Sequence, residues 1–323
     1  MRNVLRIRSL FVLILLCICM FPWACKKSES PVPQFRKRAD AKETFVYFAD
    51  PHLSRKSDEI LEESFRSFHH YYDEGSMDFC LCGGDWLNKD ETLCQAYTYL
   101  AKVNTLAEKY FAEDYYPVLG NHDTNYQGRM FGSSSENTGR FTQNTIDTLM
   151  FGRFGRAYYS FETQKTKWLV LDSGLDWEPD MTPYRWEQIR WMGSELEDSD
   201  KDHVMVVLHI YVNYASDGSL IVQKFAEHAM NMALSYNARE VMTPEGGATL
   251  DFHDASGHVA CFLCGHIHAD RVFDELPIPV VSIGKALVDD VISFDLCTLD
   301  WDAGKLIMQR IGTGEDRIID IVR

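Results

Sequence analysis

Hydrophobic positions along this chain recur with two different periods, and the switching between them predicts its elements. Thr44 to Ala49 is a short aromatic and β-branched run that reads as a strand. Ser57 to Tyr72 then places Ile60, Leu61, Phe65 and Phe68 at helical spacing. Met77 to Cys82 predicts a second strand, Glu91 to Phe111 a second long helix, and Tyr115 to Leu119 a third strand. From Thr124 to Gly155 the periodicity breaks, and Gly, Ser, Asn and Thr dominate Gly132 to Gly139. Long loops of this kind are usually functional. Ala157 to Phe161 and Lys167 to Leu171 predict paired strands around a polar turn, and Pro183 to Leu196 an amphipathic helix. Val204 to Leu208 predicts a buried strand, Leu220 to Leu234 a helix, and Thr243 to Ala255 a polar connection. Val259 to Cys264 predicts another strand, and Pro279 to Ile283, Val291 to Leu299 and Lys305 to Ile311 supply closing strands. No internal repeat is present. The order fits an α/β fold with two sheets packed together and helices outside.

Five of these strands run directly into polar clusters. They are Asp50-Pro51-His52, Gly84-Asp85 with Asn88 shortly after, Gly120-Asn121-His122-Asp123, the single His209, and Gly265-His266-Ile267-His268. Strand ends of this kind are where open α/β sheets bind ligands. Two aspartates, one asparagine and four histidines are oxygen and imidazole donors that suit divalent zinc, manganese or iron rather than copper(I). Five further histidines stand elsewhere: His69 and His70 end a helix, His228 lies on one, and His253 and His258 precede a strand. They read as structural or surface residues.

The blocks Asp-X-His, Gly-Asp-X-X-Asn, Gly-Asn-His-Asp, a strand-end His and Gly-His-X-His, in this order, resemble those of the calcineurin-like metallophosphoesterases. The resemblance spans Thr44 to Ile283. It implies a four-layer αββα sandwich of two mixed β-sheets flanked by helices. It also implies two divalent metal ions, manganese, iron or zinc. Asp50, His52 and His268 would hold the first, Asn121, His209 and His266 the second, and Asp85 would bridge them. Water held between the ions would attack phosphorus. His122 would assist the leaving oxygen, Asp123 would orient His122, and Asn88 would support the turn around Asp85. The purple acid branch has a glycine in place of His52 and a tyrosine in place of Asn88, so no tyrosinate-coloured iron site is expected. Family members often carry a proline where Tyr211 stands. Asn125, Tyr126 and Arg129 lie close enough to the Gly-Asn-His-Asp block to reach substrate.

Composition adds a compartment. Arg2, Arg6 and Arg8 precede an apolar stretch, Leu10 to Phe21, too short for a stable transmembrane helix. Ala24-Cys25 then resembles a bacterial lipoprotein signal over residues 1–24, with Cys25 lipid-modified. Pro22 departs from that pattern, and an ordinary secretory signal is the alternative. Residues 25–42, rich in Ser, Pro, Lys and Arg, read as a flexible tether, and residues 43–323 as the metallophosphoesterase domain. Either way the mature protein is expected to be exported, and in the first case held on a bacterial membrane by its lipid.

The net charge is −16, and the first 24 residues contribute three arginines and no acid. Such an acidic body disfavours a grip on long nucleic acid and favours a small phosphoester as substrate. Of nine cysteines, Cys80, Cys82, Cys94, Cys261, Cys264 and Cys297 follow Cys25. An even number in an exported protein admits disulfides, but most of these lie on predicted strands, where free buried thiols are expected. The expected activity is phosphoester hydrolysis leaning to diesters. A phosphomonoesterase using the same site and a non-catalytic, metal-stabilised surface lipoprotein are the alternatives.

Overall fold

A computed structural model of the chain describes residues 43–73, 75–88, 91–125, 139–174 and 181–321. Residues 1–42, where a signal and a tether are expected, together with Tyr126 and Arg129, lie outside them. Two six-stranded mixed sheets form the centre. The first sheet uses β1 (Glu43–Phe48), β2 (Phe79–Cys82) and β3 (Tyr115–Pro117). The second uses β4 (Tyr159–Glu162), β5 (Thr166–Leu171), β6 (His203–Leu208), β7 (His258–Cys264), β8 (Arg271–Phe273) and β9 (Val280–Ser282). The chain then returns to the first sheet with β10 (Phe294–Asp300), β11 (Lys305–Ile311) and β12 (Arg317–Asp320). The spatial orders are β12-β11-β10-β1-β2-β3 and β8-β9-β7-β6-β5-β4. β1, β2 and β3 are parallel, as are β5, β6, β7 and β9, so their C-terminal ends collect at one edge of each sheet.

Side-chain alternation decides which face meets which layer. Phe45 and Tyr47 point from β1 towards the second sheet: the Phe45 ring meets Trp168 edge-on at 5.0 Å, and Tyr47 Oη donates to the Cys264 carbonyl at 3.0 Å. Phe48 points the other way and stacks on Phe68 of α1 (Asp58–Asp73) at 4.1 Å. α2 (Leu93–Phe111) packs beside α1, and its first turn carries a capping box between Thr92 and Gln95. On β5, Trp168 and Val170 enter the core between the sheets, whereas Leu169 and Leu171 pack under the outer helices. Those helices are α4 (Pro183–Glu197) and α5 (Lys224–Asn237), and α3 (Gln143–Met150) precedes them in the chain. This is the expected helix–sheet–sheet–helix layering. Among the described residues no helix is long and apolar enough to cross a membrane.

Several segments differ from the sequence reading, among them the split of the expected Val291–Leu299 strand, whose Val291–Ile292 pairs with Leu287–Val288 instead. Leu220–Val222 is a strand rather than the start of a helix, and it pairs with Val212–Tyr214. The Leu-Ile-Val run favours a strand, and Asp217-Gly218 supplies the turn. Helix α3 lies inside the region where the periodicity breaks, started by a Thr142 side chain that accepts from the Thr145 N–H. The polar connection contains a two-residue strand, Leu250–Asp251, which pairs with Val241–Met242 just before it. The five described strand cysteines, Cys80, Cys82, Cys261, Cys264 and Cys297, are buried free thiols, and burial pushes each of them up from the usual thiol range.

Candidate metal centre

The polar clusters meet where the strand ends of the two sheets meet. The loops after β1 and β2 run side by side: Asp50 N–H donates to the Gly84 carbonyl at 2.9 Å, and His52 N–H to the Asp85 carbonyl at 3.0 Å. The loop after β7 joins them through His266 N–H, which donates to Asp50 Oδ2 at 2.9 Å. Gly265 N–H donates to the His209 carbonyl at 3.0 Å, and His122 N–H to Asp85 Oδ1 at 2.8 Å. Each carboxylate therefore spends one oxygen on the backbone and keeps the other free.

The free atoms face one another. Asp50 Oδ1, Asp85 Oδ2 and His209 Nε2 are buried without a hydrogen-bond partner. Buried polar atoms are rarely left so, because each costs about 1–3 kcal/mol unless something binds it. Around Asp50 Oδ1 stand His268 Nε2 at 3.3 Å and His52 Nε2 at 3.9 Å, and the two imidazole nitrogens are 3.1 Å apart. Around Asp85 Oδ2 stand His209 Nε2 at 3.2 Å, His52 Nε2 at 3.7 Å and His122 Nε2 at 3.9 Å. Asp50, His52 and His268 form one group with ligand atoms within 4.8 Å of one another, and Asp85, His209 and His266 form a second. Asn121 Oδ1 lies 2.9 Å from His266 Nδ1, which adds it to the second group. Asp85 Oδ2 faces members of both groups, so this single oxygen would be the donor shared between two cations, while Oδ1 braces the His122 backbone. The donor set, two carboxylates, one amide oxygen and four imidazoles in two groups, fits two small divalent cations.

The imidazoles are prepared for this. His52 Nδ1 donates to the Leu87 carbonyl at 2.8 Å, and His209 Nδ1 to the Gly83 carbonyl at 2.7 Å. Each bond fixes the proton on Nδ1 and leaves Nε2 with its lone pair towards the site. Burial lowers His52 to about 4, and burial with the neighbouring His209 lowers His266 to about 3, so both stay neutral at pH 7. His209 goes the other way. Burial disfavours its charge, but the Asp85 and Asp50 carboxylates outweigh burial and raise it to about 10. The pocket demands positive charge at that position, which a cation supplies with the proton released.

The backbone carries strain at the same place. Asp50, His52, Asp85, His266 and His268 have φ of 53, 46, 64, 72 and 56°. Left-handed backbone is uncommon for non-glycine residues and clusters at functional sites.

Residues 44–270 match the calcineurin-like phosphoesterase family. The chain belongs to that family. It is a metal-dependent phosphoester hydrolase. A search of curated proteins finds no match. Among solved structures, a dimetal phosphatase from Danio rerio aligns over 87% of this chain and 99% of its own, at 15% identity and a TM-score of 0.55. The purple acid phosphatase PPD1 from yellow lupin seeds aligns over 89% of this chain and 54% of its own, at 14% identity and a TM-score of 0.46. The first of these likenesses supports the fold.

The remaining expected site residues of this phosphoesterase fall into different places. His122 sits at the rim, 26% exposed, with its ring edge-on to His52 at 4.7 Å. Asp123 corrects the expectation that it orients His122. Its Oδ2 accepts from Asp85 N–H at 2.8 Å and Gly120 N–H at 3.0 Å, and its Oδ1 from Leu87 N–H at 3.0 Å. Asp123 thus ties two site loops together instead of touching the imidazole. Burial and the Asp85 charge push it up to about 7, against the pull of those three bonds. Asn88 N–H donates to Ser54 Oγ at 2.7 Å, which joins the loop of Asp85 to the loop of His52. Asn125 is buried, and its Nδ2 donates to the Glu91 and Gly139 carbonyls at 3.0 and 2.9 Å. Its amide nitrogen is thus committed to two backbone carbonyls. Tyr211 is buried against Phe262 and leads into the 212–222 hairpin.

One contact was not visible in the sequence. His266 Nε2 lies 3.3 Å from Asn213 Oδ1, while His266 Nδ1 faces Asn121. With a cation held between His266 Nδ1 and Asn121 Oδ1, the His266 proton would lie on Nε2 and Asn213 Oδ1 would accept it. Its only sequence signal is its place four residues after His209. Asn213→Ala is expected to weaken metal binding about 10–100-fold. Titration calorimetry with manganese would show this as a weaker second ion, and two unchanged isotherms would contradict it.

Proposed function

We propose that this phosphoesterase prefers phosphodiesters, with His122 as proton donor to the departing oxygen. Two divalent ions in the site would supply an acidified water and positive charge against the phosphate oxygens. The observation that carries the reading is the position of His122. It is next to Asp85 and His52, yet its ring stays partly open at the rim, where an alcohol would leave. In hydrolysis the water oxygen bonds to phosphorus, the bond to the leaving oxygen breaks, and that oxygen takes the proton from His122 Nε2.

The lean to diesters has an electrostatic basis. A monoester brings two negative charges and a diester one. Near the Asp50–His52 loop, the Arg55 guanidinium is held by Glu91 at 3.1 Å and the Lys56 ammonium by Asp290 at 2.9 Å. Both cations are committed to carboxylates, and the chain as a whole is acidic. The N-terminal pattern supports work outside the cytoplasm, tethered through lipid on Cys25 to a bacterial membrane.

The test is the rate on bis-p-nitrophenyl phosphate against p-nitrophenyl phosphate with manganese present. A diester preference of about tenfold in kcat/KM is expected, lost on adding chelator. A monoester preference overturns the diester reading and leaves a phosphatase. Lack of any turnover with metal supplied sinks catalysis altogether. His122→Ala is expected to slow esters of poorly leaving alcohols by about 10²–10⁴. Nitrophenyl esters, which leave without a proton, should slow much less. Equal slowing of both would remove His122 from the role of acid.

A further inference from the structure

The hairpin formed by Val212–Tyr214 and Leu220–Val222 stands against the second ligand group. Asn213 reaches His266 at 3.3 Å, and Tyr214 Oη donates to the Ile267 carbonyl at 3.4 Å. In the ladder Asn213 pairs with Ile221. Directly opposed residues of an antiparallel pair project to the same face, with Cβ atoms about 4.5–5.5 Å apart. Ile221 is thus the cross-strand neighbour of a side chain that touches a metal ligand, and it is 49% exposed. Tyr214 and Val222 on the same hairpin are exposed by 53% and 41%. Among the described residues eight large apolar side chains are exposed, and three of them lie on these six strand residues. Of these three, Ile221 shares the face of Asn213 and so stands on the side that meets His266, whereas Tyr214 and Val222 alternate to the other face.

We propose that this hairpin is the specificity wall for the ester group that stays on phosphorus, and that this group is apolar. The inference rests on the diester reading, since a monoester has no second ester group to place there. Position supports it. His122 is beside His52 and Asp85, whereas the hairpin is beside His266 and Ile267, so leaving and retained groups face different walls. Charge supports it too. The chain carries a net −16, and the hairpin turn adds Asp217 with no cation between Val212 and Val222, so an anionic retained group is repelled. An alkyl or aryl group instead covers Ile221.

The experiment compares methyl, butyl and octyl p-nitrophenyl phosphates, which share one leaving group and differ only in the retained ester. For the wild-type protein with manganese, kcat/KM is expected to rise at least about tenfold from methyl to octyl. In Ile221→Ser that octyl-to-methyl ratio should fall to within about threefold of one, and Ile221→Leu should keep it. A wild-type ratio near one with brisk turnover overturns the apolar wall while leaving the diester reading intact. A ratio in Ile221→Ser equal to that of the wild type overturns the role of Ile221. If p-nitrophenyl phosphate turns over and no diester does, the diester reading itself fails, and the wall with it.

Discussion

Replacing Asp85 with asparagine is expected to lower kcat/KM for phosphoester hydrolysis by about a thousandfold while the protein stays folded. The substitution is nearly isosteric. The amide oxygen still accepts the His122 N–H that Asp85 Oδ1 holds at 2.8 Å, so the loop geometry survives. What is lost is Oδ2, the buried atom that faces both ligand groups. An amide nitrogen there has hydrogens where a cation needs a lone pair. Loss of one preorganised electrostatic group typically costs about 10²–10³ in rate, and here both ions would depend on the same atom, which puts the expected effect at the upper end. Burial opposes the Asp85 charge, but His209, His122 and His52 hold the carboxyl well below the usual carboxylate range, so it is ionised at neutral pH. Steady-state kinetics with excess manganese, calorimetric stoichiometry and a melting curve check the three parts. Wild type should bind two ions and gain melting temperature from them. The variant should bind at most one and gain less. Two ions bound and near-wild-type kcat/KM would show that Asp85 does not join the groups.

Much of this centre was legible before any coordinates. The strands end where the polar clusters begin, and parallel strands necessarily bring such ends to one edge. Asp50, Asp85, Asn121, His209, His266 and His268 could therefore be read as neighbours from five separate blocks. What could not be read is which atom of each faces inwards. The Nδ1 bonds of His52 and His209 go to the Leu87 and Gly83 carbonyls, and a backbone carbonyl leaves no mark on the sequence. Asp123 shows the same limit. Its place after His122 invites a catalytic pairing, but two residues side by side in a turn need not point together, and its oxygens go to three N–H groups instead.

The 212–222 hairpin is hidden in the sequence for a different reason. Leu220-Ile221-Val222 is separated by Gln223 alone from the helix that begins at Lys224, so two elements follow each other with no turn signal between them. Periodicity alone cannot divide such a stretch, because the short apolar run fits either period. The partner strand that settles it, Val212–Tyr214, is too short to announce itself.

Gly120→Ala is expected to remove metal binding and activity together and to cost about 2–4 kcal/mol of stability, the range of severe core overpacking. A Cβ at Gly120 would stand 2.1 Å from Asp85 Oδ1 and 2.2 Å from Asp85 N. Neither atom is free to retreat. Oδ1 accepts from the His122 N–H, and the Asp85 N–H donates to Asp123 Oδ2, which also accepts from Gly120 itself. Relief of the clash must therefore pull the two loops apart, and with them Asp85 from Asn121 and His122. Gly75→Ala is the matched comparison. Gly75 lies between α1 and β2 with φ +67° and nothing within 4 Å of its would-be Cβ, so only the left-handed strain of about 1–2 kcal/mol applies. Thermal melts with and without manganese separate the two. Gly75→Ala should keep the full metal-induced rise in melting temperature from a lower baseline, and Gly120→Ala should lose the rise. A Gly120→Ala protein that still gains the wild-type rise would mean that the Asp85 and Gly120 loops can separate without opening the metal groups. The close contact between them would then serve folding alone.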